Sequence, residues 1–117
     1  MTEPEWTRKI CGGLERLGCV VLPLVAGRMQ QPGWPDRYVC STRGDWWLEF
    51  KGERTAVRRI QQMRMDVLNK RVPGKAYVVR QPDRIEDPSG ALLATFRDAK
   101  ELIDQLALLT RETARCE

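Results

Sequence analysis

The segment PGWPDRYVCSTRGDWWLEFK, residues 32–51, decides how this chain folds. Two short runs rich in β-forming residues are separated by Thr-Arg-Gly-Asp, which is typical of a tight turn. We therefore predict a strand at about 36–41, a turn at 42–45 and a second strand at about 45–51. The second run is so apolar that it indicates a strand in the centre of a sheet.

Side-chain alternation sorts the second strand into two faces. Glu49 and Lys51 are two residues apart and project together, with Asp36 on the neighbouring strand. The opposite face carries the predicted core residues Trp46, Leu48 and Phe50. Two carboxylates and an ammonium group at adjacent strand ends can hold a hard divalent cation and activate a water molecule. The structural alternatives are that Asp36 caps a turn and that Glu49 and Lys51 form an ordinary ion pair.

The remaining elements follow from hydrophobic periodicity and from the glycine and proline positions. We predict helices at about 3–17, 55–71 and 95–110, further strands at 19–25 and 75–80, and a polar loop at 81–90. The order αβββαβ plus a C-terminal helix describes an α/β fold, a small mixed β-sheet flanked by helices. The 117 residues suit one domain, residues 1–117, with its core at about 3–80.

Composition narrows the possible chemistry. The chain has no histidine, so catalysis must rely on carboxylates, lysine or bound water rather than on a histidine base. Its four cysteines form no Cys-x-x-Cys pair, which favours reduced thiols over a structural zinc site. No apolar run is long enough for a membrane span and no signal-peptide pattern is present, so we expect a cytoplasmic protein without membrane partners.

Charge is distributed unevenly along the chain. Residues 51–80 contain nine basic and two acidic side chains, a net charge of +7, whereas residues 81–117 have a net charge of −3. A basic segment directly after the carboxylates suits a polyanionic substrate such as nucleic acid. A solvated basic helix face is the simpler alternative.

Two further residues are candidates for the same site. Gln61 is the one polar member of an apolar stripe on the second helix, so a buried amide needs a polar partner at the site. The alternative is that the helix is rotated and Gln61 lies at its boundary. On the first helix Glu3 lies on the side of the apolar residues and Glu5 lies nearly opposite, so Glu3 is better aimed, unless it only caps the helix.

Taken together, these motifs resemble a known family. Glu3-x-x-Trp6, Pro32-Gly33-Trp34-Pro35-Asp36, Leu48-Glu49-Phe50-Lys51 and Gln61 are similar in order and spacing to the VRR-NUC group of the PD-(D/E)xK nucleases. The resemblance covers about residues 3–80 and implies a restriction-endonuclease-like fold. Gly12-Gly13 and a longer turn at 69–74 depart from the usual pattern.

The resemblance implies a Mg²⁺- or Mn²⁺-dependent nuclease that hydrolyses DNA without a nucleotide cofactor. Asp36, Glu49, the Phe50 carbonyl and Glu3 would then hold the metal, and Lys51 and Gln61 would complete the catalytic set. The basic residues expected to contact DNA are Arg28, Arg54, Arg58, Arg59 and Arg64. The group includes stand-alone phage and prophage proteins of about this size. Related family members resolve four-way junctions, and such enzymes work as symmetric dimers, so branched DNA and a homodimer are expected.

Two other classes of function compete with a nuclease. One is a catalytically inactive DNA-binding module that keeps the nuclease fold. The other is a small interaction protein whose basic face binds an acidic protein partner. Metal-dependent cleavage and salt-sensitive DNA binding distinguish among the three.

Overall fold

A computed structural model of the protein describes residues 1–24 and 33–115. Within these ranges it has three helices: α1 (Glu3–Arg16), α2 (Arg59–Arg71) and α3 (Ala99–Arg115). The strands are β1 (Val20–Pro23), β2 (Arg37–Ser41), β3 (Gly44–Lys51), β4 (Ala76–Arg80), β5 (Arg84–Glu86) and β6 (Leu92–Thr95). All of them join one sheet in chain order. Because β3 and β4 are parallel and the other pairs are antiparallel, the predicted mixed sheet and α/β class are confirmed.

Helices cover both faces of the sheet. On one face, buried residues of α1 and α3 such as Leu14 and Leu102 pack with Trp46, Leu48 and Phe50 of β3. On the other face, Met65 of α2 packs against β4 residues Ala76 and Val78. The predicted alternation of β3 therefore holds, and Glu49 and Lys51 lie on the α2 face.

Helix α2 makes the crossover that a parallel strand pair requires. It begins at Arg59 rather than at about 55, because Arg58 has an extended backbone with φ −69° and ψ 151°. The Gln61 side chain closes the first turn, since its Oε1 accepts a hydrogen bond from the Arg58 N–H at 3.0 Å.

The C-terminal part differs most from expectation. The predicted loop at 81–90 contains β5, whose Ile85 pairs with Val79 of β4. The predicted start of the last helix is wrong, because the apolar run Leu92–Thr95 pairs with β5 as strand β6. Helix α3 therefore begins at Ala99 and continues to Arg115, beyond the expected end near 110.

Strand β1 is shorter than the predicted 19–25 and forms one edge of the sheet, a position that tolerates Pro23. Its pairing with β2 ends at Pro23 and Arg37. The predicted loop at 26–35 lies mainly outside the described residues. No helix in the described part of the chain is both long and apolar enough to cross a membrane.

Candidate active site

Asp36 and Glu49 are brought together by the β2–β3 hairpin. The antiparallel register pairs Arg37 with Leu48, so the next facing positions are Asp36 and Glu49. Backbone bonds tie the two positions in both directions. The Phe50 N–H donates to Asp36 Oδ1 at 3.4 Å, and the backbone of Asp36 hydrogen-bonds the Glu49 carboxylate. Two carboxylates from adjacent strands thus converge at the sheet surface.

The electrostatics of this pair are unfavourable without a cation. Burial, together with the negative charge of Glu49, raises the pKa of Asp36 to about 7. Burial also raises the pKa of Glu49, although the Lys51 ammonium opposes that shift. Two neighbouring carboxylates repel each other when both are ionised. A divalent cation prefers such oxygen ligands and would favour the ionised form of both.

Lys51 contacts Glu49 directly. Its Nζ lies 3.6 Å from Glu49 Oε2, and both side chains are buried, with exposed fractions of 9% and 7%. A buried ammonium paired with one carboxylate provides fixed positive charge beside the oxygen pair. The predicted placement of Glu49 and Lys51 on one face of β3 is therefore observed.

Gln61 is buried and hydrogen-bonded at both ends of its amide. Its Nε2 donates to Glu49 Oε2 at 3.1 Å, while Oε1 accepts from the Arg58 N–H. The predicted need for a polar partner is thus met by Glu49 itself. The start of α2 and the Glu49 carboxylate are fixed by one side chain.

Glu3 lies at the edge of this arrangement. Helix α1 begins with a capping box in which Thr2 and Glu5 exchange hydrogen bonds, so Glu5 serves the helix end. Glu3 instead points toward the turn after β3, where its Oε2 accepts a hydrogen bond from Thr55 Oγ1 at 3.4 Å. Among the described residues, no three Asp, Glu, His or Cys side chains form a group able to hold one metal ion.

The predicted DNA-contacting arginines occupy the turn after β3 and the start of α2. Arg54, Arg58 and Arg59 are exposed there. The guanidinium of Arg64 lies 4.9 Å from the ring centre of Trp34, a cation–π contact that orients the charge. Arg28 lies outside the described residues.

The sequence patterns did not identify Arg80 as a residue that supports the site. It counts toward the basic segment in the sequence, yet its side chain is only 12% exposed and pairs with Glu86. Glu86 belongs to β5, a strand that the sequence did not indicate. A basic residue at the end of β4 followed six residues later by an acid was the available signal.

Comparison with known proteins identifies the fold. No family model matches the chain, and no curated protein sequence matches it. Among solved structures, the chain resembles Hjc, a Holliday junction resolvase from the archaeal hyperthermophile Archaeoglobus fulgidus, with a TM-score of 0.56 and 13% sequence identity. The match covers 74% of this chain and 77% of the resolvase chain. The likeness establishes a restriction-endonuclease-like fold.

Proposed function

We propose that the protein is a metal-dependent nuclease that hydrolyses phosphodiester bonds of DNA and prefers branched substrates. The observation that carries this proposal is the convergence of Asp36 and Glu49 beside Lys51 on the surface of a resolvase-like sheet. We further propose membership of the VRR-NUC group, from the motifs that contain these residues.

Three acidic side chains do not converge among the described residues, but two carboxylates and a backbone carbonyl fit a divalent cation that keeps several water ligands. Asp36 and Glu49 would hold Mg²⁺ or Mn²⁺, with the Phe50 carbonyl as a further ligand and Glu3 near the site's edge. Such an ion would supply Lewis-acid stabilisation of the phosphate and a water of lowered pKa. Burial, and for Asp36 the charge of Glu49, raises the pKa of these carboxylates, and a bound cation would offset both effects at neutral pH.

In this proposal Lys51 and the arginines supply positive charge, and Gln61 holds Glu49 in position. Lys51 offsets negative charge that builds on the phosphate oxygens when water attacks phosphorus and the bond to the leaving oxygen breaks. Gln61 holds Glu49 Oε2, so that the carboxylate keeps one orientation during turnover. Contacts with the DNA backbone, which give affinity without sequence specificity, are assigned in this proposal to Arg28, Arg54, Arg58, Arg59 and Arg64.

A branched substrate has consequences for assembly. The similar solved structure is a Holliday junction resolvase, and a four-way junction presents two equivalent strands. A homodimer with two-fold symmetry would place one active site on each strand. We include the homodimer, and action on DNA in the cytoplasm of a bacterial or phage-infected cell, in the proposal.

The decisive experiment is a cleavage assay with linear, flapped, single-stranded and four-way DNA in Mg²⁺, Mn²⁺ or EDTA. Wild-type protein is expected to cut in metal but not in EDTA. Asp36→Ala is expected to lose about 100-fold or more in rate, because one carboxylate of the site is removed. Asp66→Asn on the exposed side of α2 is the matched control and should retain activity.

Failure to cut any of these DNAs in either metal would overturn the proposed activity. If the same protein bound DNA tightly, the result would favour the inactive DNA-binding module instead. Binding to none of the DNAs at low salt would favour a protein-interaction function.

A further inference from the structure

Arg80 makes an ion pair beside the proposed active site. It is the last residue of β4 and lies next to Lys51 in the parallel β3–β4 register. Its Nε donates to both oxygens of Glu86, at 2.9 and 3.0 Å. Glu86 is buried, with an exposed side-chain fraction of 4%.

The same guanidinium also binds the turn that follows β3. Arg80 Nη1 donates to the carbonyl of Gly52 at 2.8 Å and to that of Thr55 at 2.6 Å. The Thr55 N–H donates to the Gly52 carbonyl as well, at 3.3 Å. Residues 52–55, which we call the post-β3 turn, are therefore closed by their own backbone bond and held by Arg80.

The post-β3 turn contacts the site on two sides. It begins directly after Lys51, and Thr55 Oγ1 donates to the Glu3 carboxylate. A Cβ atom added at Gly52 would lie only 3.0 Å from Glu3 Oε2. Movement of the turn would therefore displace Glu3 and loosen the end of β3.

Charge gives the pair a second effect on the site. The registers place Glu49 beside Val78 and Val78 beside Glu86, so the two buried acids lie in one row, two strands apart. Two strand spacings amount to roughly 10 Å. An unpaired Glu86 would add negative charge to a poorly solvated surface that already carries Asp36 and Glu49. Arg80 neutralises it at 2.9 Å, with the more exposed Arg84 at 3.6 Å.

We propose that Arg80 is a positioning residue of the active site. Paired with Glu86, it fixes the post-β3 turn and thereby the placement of Lys51 and Glu3 relative to Glu49. The catalytic part of this inference rests on the proposed nuclease function. This role requires a guanidinium. Its planar fork donates to Glu86 and to two carbonyls at once, which the single ammonium group of a lysine does not do.

Two variants separate positioning from stability. Arg80→Lys keeps a positive charge near Glu86 but does not reproduce the contacts with both carbonyls. Arg80→Leu combined with Glu86→Leu replaces the ion pair by apolar side chains, an exchange that folded proteins tolerate. Arg84→Gln is the matched control, because Arg84 Nε lies 3.6 Å from the same Glu86, whereas the hydrogen bonds from a guanidinium to the carbonyls of Gly52 and Thr55 come from Arg80.

Two measurements are made on each folded variant: cleavage of the preferred DNA in Mn²⁺, and amide hydrogen exchange of Thr55. In Arg80→Lys and in the double variant, we expect kcat to fall by about 10- to 100-fold with KM changed by less than about threefold. The Thr55 amide should exchange faster in both. Arg84→Gln should match the wild type in kcat and in exchange.

The outcomes distinguish this inference from the proposed function. If the wild type cuts DNA and Arg80→Lys or the folded double variant cuts equally fast, the positioning role is overturned. Unchanged Thr55 exchange in both variants would overturn it independently of activity. If the wild type cuts nothing, the proposed function fails, while faster exchange would still support the control of the turn by Arg80.

Discussion

Glu49 is the most constrained residue of the candidate site. Gln61, Lys51 and the backbone of Asp36 all bind its carboxylate. Such crowding limits the carboxylate to one orientation, and any ligand must approach through the remaining lone pairs and through Asp36. The carboxylate of Asp36 has fewer fixed partners, so we expect changes of protonation in the site to occur mainly at Asp36.

The elevated pKa of Asp36 predicts how the metal-free protein responds to pH. The group has a pKa of about 7 when folded and about 3.9 when unfolded. Between these values the unfolded chain releases a proton that the folded chain retains, so the free energy of unfolding falls as pH rises through this window. Above pH 7 the loss is complete.

Asp36→Asn removes this titration. We expect the variant to exceed the wild type in free energy of unfolding by about 1 to 2 kcal/mol at pH 8, and to approach it near pH 4. Urea unfolding in EDTA at both pH values measures the difference, with Asp66→Asn as an exposed control. A difference that is constant with pH would contradict the prediction.

Residue patterns predicted which side chains lie together at the candidate site, but not the ion pair that supports them. Alternation in β3 placed Glu49 and Lys51 correctly, and the polar break in the α2 stripe pointed to Gln61. Arg80 could not be assigned, because its partner belongs to β5, whose short sequence lies between Pro82 and Pro88 and resembles a loop. That strand is defined by its ladder with β4, which is a long-range property.

Helix α2 packs closely against Gly33, in the segment that leads into β2. Gly33 has φ +93°, and a Cβ added there would lie 2.7 Å from Ile60 Cγ1 and 3.0 Å from the Ile60 carbonyl oxygen. Only glycine allows this turn and this close approach together. The position of α2, and with it that of Gln61, therefore depends on glycine at position 33.

Gly33→Ala is expected to destabilise the protein through both strain and overpacking. Gly90→Ala is the matched control, because Gly90 has φ +95° with no atom within 4 Å of the added Cβ. We expect Gly33→Ala to lower the free energy of unfolding by at least about 1 kcal/mol more than the control does. Guanidinium unfolding compares them, and equal losses would show that α2 tolerates the contact.

The element boundaries show where local signals are insufficient. Helix α2 was predicted four residues too early because Thr55 to Arg58 suits a helix, whereas the Arg80 and Gln61 hydrogen bonds hold that segment in other geometry. The run Leu92–Thr95 suits either a helix or a strand. Its assignment depends on the open edge of β5, which no local pattern reveals.

The exposed arginines before and at the start of α2 lie on the same face of the sheet as Asp36 and Glu49, whereas α1 and α3 pack on the other face. If the protein binds DNA as proposed, this separation predicts which charges contribute to the affinity. Arg58→Ala and Arg59→Ala should each reduce the slope of log affinity against log salt by about 0.9, the value for one lost phosphate contact.

Arg111→Ala on α3 is the control for this measurement, because α3 packs on the opposite face. Binding of inactive Asp36→Ala protein to four-way DNA between low and moderate salt gives the slopes. A slope reduced equally by Arg111→Ala would place the DNA surface elsewhere or show that affinity reflects overall charge alone.

The two-residue connection between β2 and β3 sets the register of the candidate site. Ser41 pairs with Gly44, and from that point the register fixes Asp36 opposite Glu49. Inserting or deleting one residue in β3 between Gly44 and Glu49 would exchange its two faces, burying charges where Trp46 and Leu48 now lie. A change of length in β3 before Glu49 is therefore expected to separate Asp36 from Glu49, whereas the exposed turn at 89–91 lies outside this register.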